Sequence, residues 1–569
     1  MPGKPGWFNR KLEFALPTRE HFRRNHRVFA VRLGFLALLL AAPLAAQSPV
    51  LKRLEPAAVR PGATQPLTLH GDNLRGATNW WSATGATVVS AKAVEPSVVK
   101  LQVAVPAAAP VGIYATRVAS TNGVSNPLLF MVDDLPSIFD AGANLSLTTA
   151  QTLVPPVAVD GTTPSLGVKQ FRFTAKAGER LAFEAVARRL NSKLDPVLRL
   201  LDSRGRELAF SDDESGLGGD CRLAHTFAAS GDYFLELRDI SYGGGSEYFF
   251  RLRVGDFPFA SLTFPAAVQA GTTATFNFVG PQVEKISSLT ATAPTNTMRL
   301  ALTAKFPGGN ASGFAAALVT DTPEVSEVEP NDSAETATPF TLPAGLNGRF
   351  LKPKDRDFWR FTAKKGQRVL FTAQTRSLGS ASEVTLQLRD AQGTAIASST
   401  PGDPGEGSVT NTLPADGTYF LVVDELIRRG GSAHAYRVEA ELLGPAFALE
   451  TETEKIEVAP GGTFTVKVSA TRRDFTGPIT LAVLDLDGAA LADEVIKEKA
   501  SSTTLKLTLP ETVTPGALLT FRLLGQATLG ERATQAFVHT TPALKKLFPN
   551  TPTPPRELDT VITLGVRAR

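Results

Sequence analysis

The clearest pattern along the chain is alternation. Phe464, Val466 and Val468 interleave with Thr463, Thr465 and Lys467, and Leu505, Leu507 and Leu509 keep the same period of two. Successive side chains of a strand point to opposite faces, so this pattern predicts strands with one face buried. Elsewhere short apolar runs are punctuated by Gly and Pro; the run from Ala274 to Phe278, for example, follows the turn residue Gly271. No long window beyond the N-terminus carries a helical period. The predicted fold class is all-β, a string of β-sandwich domains. A chain of 569 residues has room for roughly three to five domains of ~100–150 residues each.

Two stretches repeat. Phe171-Arg172-Phe173-Thr174-Ala175-Lys176-Ala177-Gly178 reads against Trp359-Arg360-Phe361-Thr362-Ala363-Lys364-Lys365-Gly366 at an offset of 188. The offset holds at Leu198–Gly205 against Leu386–Gly393, and becomes 186 at Gly231–Leu235 against Gly417–Leu421. A register kept over that span with one small indel indicates a duplicated domain. The predicted order is a signal peptide over 1–47, an Ig-like sandwich over 48–134, a first repeat over 135–255 and a small Ig-like sandwich over 256–321. A second repeat over 322–444, a last Ig-like sandwich over 445–541 and a Pro-rich linker and tail over 542–569 complete it.

The opening Pro61-Gly62, the turn Gly71-Asp72-Asn73-Leu74 and the closing pattern from Gly112–Val118 through Asn122-Gly123 to Leu128–Val132 carry a first resemblance. They resemble the IPT/TIG immunoglobulin-like family. The duplicated unit resembles the bacterial pre-peptidase C-terminal (PPC) domain. In the first copy the carriers are Phe171–Phe173 with its Ala-Gly turn, Asp195-Pro196 and Gly231-Asp232-Tyr233-Phe234; in the second they are Asp357-Phe358-Trp359, Leu386–Gly393 and Gly417-Thr418-Tyr419. The resemblance implies jelly-roll-like sandwiches that serve as accessory modules on secreted proteases and other surface proteins.

Charge separates the leader from the body. Residues 1–47 hold eight Lys/Arg and two acids, leaving 51 basic and 53 acidic side chains in the rest. The body therefore has no electrostatic footprint for nucleic acid. The apolar run Leu33–Ala46 is 14 residues long, short of the ~20 needed to span a bilayer. It reads as a signal peptide cleaved near Ala46-Gln47, although Leu44 departs from the small-residue rule and the basic region is long enough to place the true start nearer Val28 or Val31. An uncleaved anchor is the alternative. Removal of the signal leaves no transmembrane span, so the expected location is the periplasm, the cell surface or the medium. Cys221, the single cysteine, rules out an internal disulfide.

The sharpest chemistry is Glu327-Val328-Glu329-Pro330-Asn331-Asp332, with Asp355 and Asp357 before the next aromatic strand. Calcium takes about six to eight hard oxygen ligands. Alternate carboxylates on an extended segment face the same way, so Glu327 and Glu329 can share an ion that Asn331, Asp332, Asp355 and Asp357 would enclose. The alternative is a solvated linker whose Asn-Asp-Ser makes a turn. The PPC resemblance implies the calcium reading, because collagen-binding members hold calcium with a Glu-x-Glu-x-Asn-Asp linker and acids before this strand. Asp355 departs from that pattern in spacing. At the 188 offset, Asp355 and Asp357 become Gly167 and Lys169, and the linker of the first copy is read as lacking the acids.

Other candidates are weaker. Ser211–Ser215 with Asp220 reads as solvated loop charge. Trp80-Trp81 places one ring in the core and the other at the surface, available to a ligand or to a neighbouring domain. Trp359 reads as core. The histidines are scattered, and neither His-Glu-x-x-His nor Gly-x-Ser-x-Gly occurs. The expectation is a non-catalytic exported scaffold binding cell-envelope or extracellular polysaccharide or protein. One alternative is an accessory component of an exported peptidase or glycan-degrading system; another is an enzyme with an unrecognised active site.

Overall fold

Strands dominate, and their burial follows the alternation. Along Thr463–Arg473, Phe464, Val466 and Val468 are buried while Thr463, Thr465 and Lys467 are exposed. The computed structural model describes residues 47–402 and 406–569. Apart from Gln47, the signal-peptide reading falls on residues outside this range.

The first sandwich faces the four-stranded sheet 50–55, 64–72, 98–104, 87–95 against a second sheet ordered 58–59, 128–132, 112–120, 79–82. Gly112–Ser120 turns back on itself at Asn122-Gly123, pairing Ser120 with Gly123 before Leu128–Val132 takes over the edge. Both repeats have one topology. In the first, 137–139, 157–162, 249–255, 180–186, 221–226 face 151–152, 169–175, 231–239, 196–201, 207–211. In the second, 324–326, 344–349, 435–443, 368–374, 408–412 face 338–339, 356–363, 417–425, 384–389, 395–399. Between them, two three-stranded sheets form the small sandwich.

The C-terminal region departs from the expectation of a linker and tail. Thr541–Leu547 is a short helix with Pro542 in its first turn, where a missing N–H costs nothing. Leu544 and Phe548 are buried in a cluster with Ala58, Met131 and Leu190. Ile562–Val566 is then a strand, parallel to Lys455–Val458 and antiparallel to Leu518–Phe521. All five of its residues are buried. The last sandwich is therefore incomplete without the end of the chain. The reason lies in long-range pairing: five residues after a Pro-rich run signal little by themselves, and their parallel partner lies about a hundred positions earlier.

Polar contacts tie the modules together. Glu457 of the last sandwich accepts from Ser48 Oγ at 2.6 Å and from Val124 N at 3.2 Å, and Arg117 pairs with Glu454. Arg251 and Arg253 of the first repeat, both fully buried, share Asp133 at 2.9 and 3.1 Å. Arg253 reaches on to Glu184 and to the carbonyl of Ser312 in the small sandwich, each at 2.5 Å. Removing one member of such a buried network strands a charge, at a cost of roughly 3–5 kcal/mol. Arg253 thereby joins Asp133, the first repeat and the small sandwich in one buried network.

Candidate functional site

The acids converge where the chain passes between the two sheets of the second repeat. Glu324–Ser326 joins one sheet, parallel to Ala344–Arg349, and Arg356–Ala363 lies in the other. The link between them is pinned by Glu327 N donating to Asn347 O at 2.9 Å and Phe358 N donating to Asn331 O at 2.8 Å. Glu327, Glu329 and Asp357 each bring a carboxylate oxygen within 4.8 Å of the others. The Asn331 amide, fully buried, stands 3.1 Å from Asp357 Oδ1 and 3.2 Å from Glu329 Oε2. Turned one way, its nitrogen donates to both carboxylates. Turned the other way, its oxygen would add a further hard donor to the carboxylates.

The electrostatics follow from burial. Desolvation pushes the Glu327 carboxyl up to about 8, against the opposing pull of the Arg349 N–H and guanidinium. Asp357 is driven well above the usual carboxylate range, first by burial and then by Glu327. Glu329 is raised too, by burial and by Asp355 and Asp332. Three carboxyls so placed hold protons or require a cation. Tyr436 Oη donates to Asp357 Oδ2 at 2.6 Å, and Trp359 Nε1 donates to Tyr436 Oη at 2.9 Å. The relay fixes the rotamer of Asp357 and leaves its other oxygen free to face the cluster.

Not every predicted ligand is placed alike. Asp332 turns outward to Lys352 Nζ at 3.2 Å and its side chain is 44% exposed. Asp355 caps the preceding turn, accepting from Leu351 N at 2.6 Å, while its buried Oδ1 finds no hydrogen-bond partner among the described residues. The set that meets is Glu327, Glu329, Asn331 and Asp357, with Asp355 beside it. All are hard oxygen donors, the chemistry that suits calcium.

The first repeat shows what stands at the same place. Ser137–Phe139 pairs with Val157–Thr162 as Glu324–Ser326 pairs with Ala344–Arg349, and Gln170 N donates to Asn144 O as Phe358 N does to Asn331 O. This register sets Asp140 against Glu327, Gly142 against Glu329, Asn144 against Asn331 and Lys169 against Asp357. The first linker therefore retains one acid, Asp140, where the sequence comparison found none. Lys169 Nζ donates to Asp140 Oδ2 at 2.5 Å, Gly142 O at 3.2 Å and Asn144 Oδ1 at 3.3 Å. The relay is absent as well: Phe171 and Phe250 meet edge-on at 6.4 Å in place of Trp359 and Tyr436. Tyr436 escaped the sequence reading, although the pair Phe250 and Tyr436 at the repeat offset was its visible signal.

Two other readings change. Asp220 is not solvated: it is fully buried and accepts from Ala187 N at 3.0 Å, Arg188 N at 2.7 Å and Arg189 Nε at 2.7 Å. Trp80 is 6% exposed and packs edge-on against Phe130. Trp81 packs at the junction that buries Met131 and Phe548. The second ring is thus partly buried against neighbouring parts of the chain.

Residues 355–425 match the family model of the bacterial pre-peptidase C-terminal domain. The match begins at Asp355 and takes in Asp357 with its strand Arg356–Ala363, whereas Glu327, Glu329 and Asn331 precede the matched residues. A probable subtilase-type serine protease of Deinococcus radiodurans is 37% identical over 102 residues, 17% of this chain. The chain spans 14% of the length of that relative. Among solved structures, the pre-peptidase C-terminal domain of a Bacillus anthracis collagenase aligns over 20% of this chain and all of its own, at 14% identity and a TM-score of 0.16. SGBP-B of the Bacteroides ovatus mixed-linkage glucan utilization locus, in complex with a mixed-linkage heptasaccharide, aligns over 68% of this chain and 72% of its own, at 12% identity and a TM-score of 0.13. No helix among the described residues is long and apolar enough to cross a membrane.

Proposed function

We propose that the chain is an exported, non-catalytic binding protein of serial β-sandwich modules, with residues 135–255 as a second pre-peptidase C-terminal-like repeat and residues 48–134 as an IPT/TIG-like module. Calcium held by Glu327, Glu329, Asn331 and Asp357, with Asp355 alongside, stiffens the joint between the small sandwich and the second repeat. The observation that carries the calcium reading is the exchange of Lys169 for Asp357 at one position of one fold. The first repeat carries its own cation there; the second replaces it with a third carboxylate and needs one from outside. A bound calcium neutralises the converging carboxylates and lets them ionise without protons.

The ligand is polysaccharide or protein of the cell envelope or its surroundings, engaged by several weak modules on one chain that gain avidity together. A second reading makes the chain an accessory part of an exported peptidase system, and the segment shared with the Deinococcus radiodurans protein favours it. Titration calorimetry of the exported chain with calcium tests the site, and saturable binding by one ion is expected. Absence of heat at millimolar calcium would sink it. A pull-down on cell-envelope fractions and glycans, with and without calcium, tests the binding role; co-purification with a hydrolase supports the accessory reading.

A further inference from the structure

Far from the acidic cluster, five parts of the chain close around a cavity of about 200 Å³. Its walls come from the first sandwich, both repeats, the small sandwich and the Pro-rich segment Thr551–Glu557. The two repeats touch there: a Cβ on Gly216, at φ +85°, would sit 2.3 Å from Gly379 O, so only glycine permits the approach. Among the described residues, the charged side chains lining the cavity are Arg189, Arg299, Arg376, Arg556 and one acid, Glu557.

Their partners differ. Arg189 is matched by Glu184 at 2.8 Å and Asp220 at 2.7 Å. Arg299 donates to Ile113 O at 2.9 Å and lies 3.8 Å from Glu557, and Arg376 lies 3.9 Å from Glu383. Arg556 has no side-chain hydrogen bond or ion pair among the described residues. Burial weakens its hold on the proton, and Arg299 and Arg437 add to this while Asp559 and Glu406 oppose it. A guanidinium offers five donors in a fixed fork suited to planar or tetrahedral oxyanions. A cavity of this size falls below the ~300 Å³ typical of organic-ligand pockets, so the occupant is a small ion or one acidic group.

We infer that this junction binds a small oxyanion against Arg556 and Arg299, and that the anion fastens the Pro-rich segment to the modules around it. Free phosphate or sulfate and the carboxylate of an acidic sugar share that chemistry.

The test uses the full exported chain with a chelator present, so that phosphate cannot act by removing calcium. Isothermal titration with inorganic phosphate should show saturable binding at one site, and no heat would overturn the inference. Melting in phosphate against chloride at equal ionic strength should give a rise of about 2 °C or more. Phosphate also stabilises proteins by exclusion from their surface, so Arg556→Gln is the control. That variant should lose the phosphate-specific rise yet melt in chloride at or above the wild-type temperature, because it removes an unpaired cation. An equal rise in both proteins overturns the inference, as does a variant that melts lower in chloride, which would mark Arg556 as structural. Glucuronate that displaces phosphate assigns the site to sugar acids; glucuronate that fails to do so assigns it to the free inorganic anion.

Discussion

The two repeats solve one problem in opposite ways. Both carry a linker past the edge of a sandwich, and both leave polar groups facing a strand of the opposite sheet. In the first repeat, Lys169 closes the gap, its ammonium held by Asp140, Gly142 and Asn144. In the second, Asp357 enters the same position among Glu327, Glu329 and Asn331, and its rotamer is held by Tyr436 and Trp359. The apolar counterparts Phe171 and Phe250 need no such relay. One fold therefore accommodates either sign of charge at this point. The difference teaches that the acids are not a requirement of folding, since the first repeat forms the same sheets with a lysine.

The largest effect that could break this comparison is expected in the first repeat. Lys169→Met keeps the apolar stem but leaves the carboxylate of Asp140, 7% exposed, without its partner. Stranding a buried charge costs roughly 3–5 kcal/mol, readable as a lower denaturant midpoint of the first repeat. A loss below 1 kcal/mol would show that the ammonium is not the counter-charge. Next comes the second repeat. Calcium at about 100 times its dissociation constant should stabilise by ~2.7 kcal/mol, a gain that Asp357→Asn or Glu329→Ala should abolish in scanning calorimetry. Asp357→Lys sharpens the point: it should remove the calcium response yet leave the metal-free protein at least as stable, by installing the cation of the first repeat.

A smaller effect is the pH dependence. Glu327 titrates at about 8 in the fold and near 4.5 without its surroundings. A carboxyl raised in this way favours the folded state fully at low pH. In a chelator, stability should decline as pH rises from about 4.5 to about 8. Calcium should remove that decline, because its ligands bind deprotonated. Melting curves across this range that stay flat in the chelator would count against a buried cluster of acids. The smallest change should come from Asp332→Ala. Its contact is an exposed pair with Lys352, worth ~0–1 kcal/mol, and the calcium response should survive.

How much of this was legible in the residues depends on distance along the chain. The sandwiches were, because alternation such as Phe464–Val466–Val468 is local. The second-repeat cluster was legible in outline, since Glu327, Glu329 and Asn331 lie on one extended segment. Asp332 turns outward toward Lys352, twenty residues on, a direction that no local pattern carries. Asp140 belongs to no acidic motif, and its equivalence to Glu327 follows only from the linker's register, set by parallel pairing with Val157–Thr162. Tyr436 lies in the last strand of its repeat, and nothing nearby in sequence announces that its hydroxyl reaches Asp357. Asp220 looked like loop charge because its partners, Ala187 to Arg189, come from a different turn.

By itself, the sequence determined the strand content, the duplication and the presence of acids in one copy where the other has a lysine. These follow from short-range rules: side-chain alternation, turn residues and direct comparison of repeated segments. Only the tertiary structure decided that Lys169 and Asp357 occupy one place, that the final strand Ile562–Val566 completes a sheet, and that four arginines share one cavity. Each of these depends on which segments become neighbours. That is set by burial and pairing between residues tens to hundreds of positions apart, for which the linear pattern carries no marker.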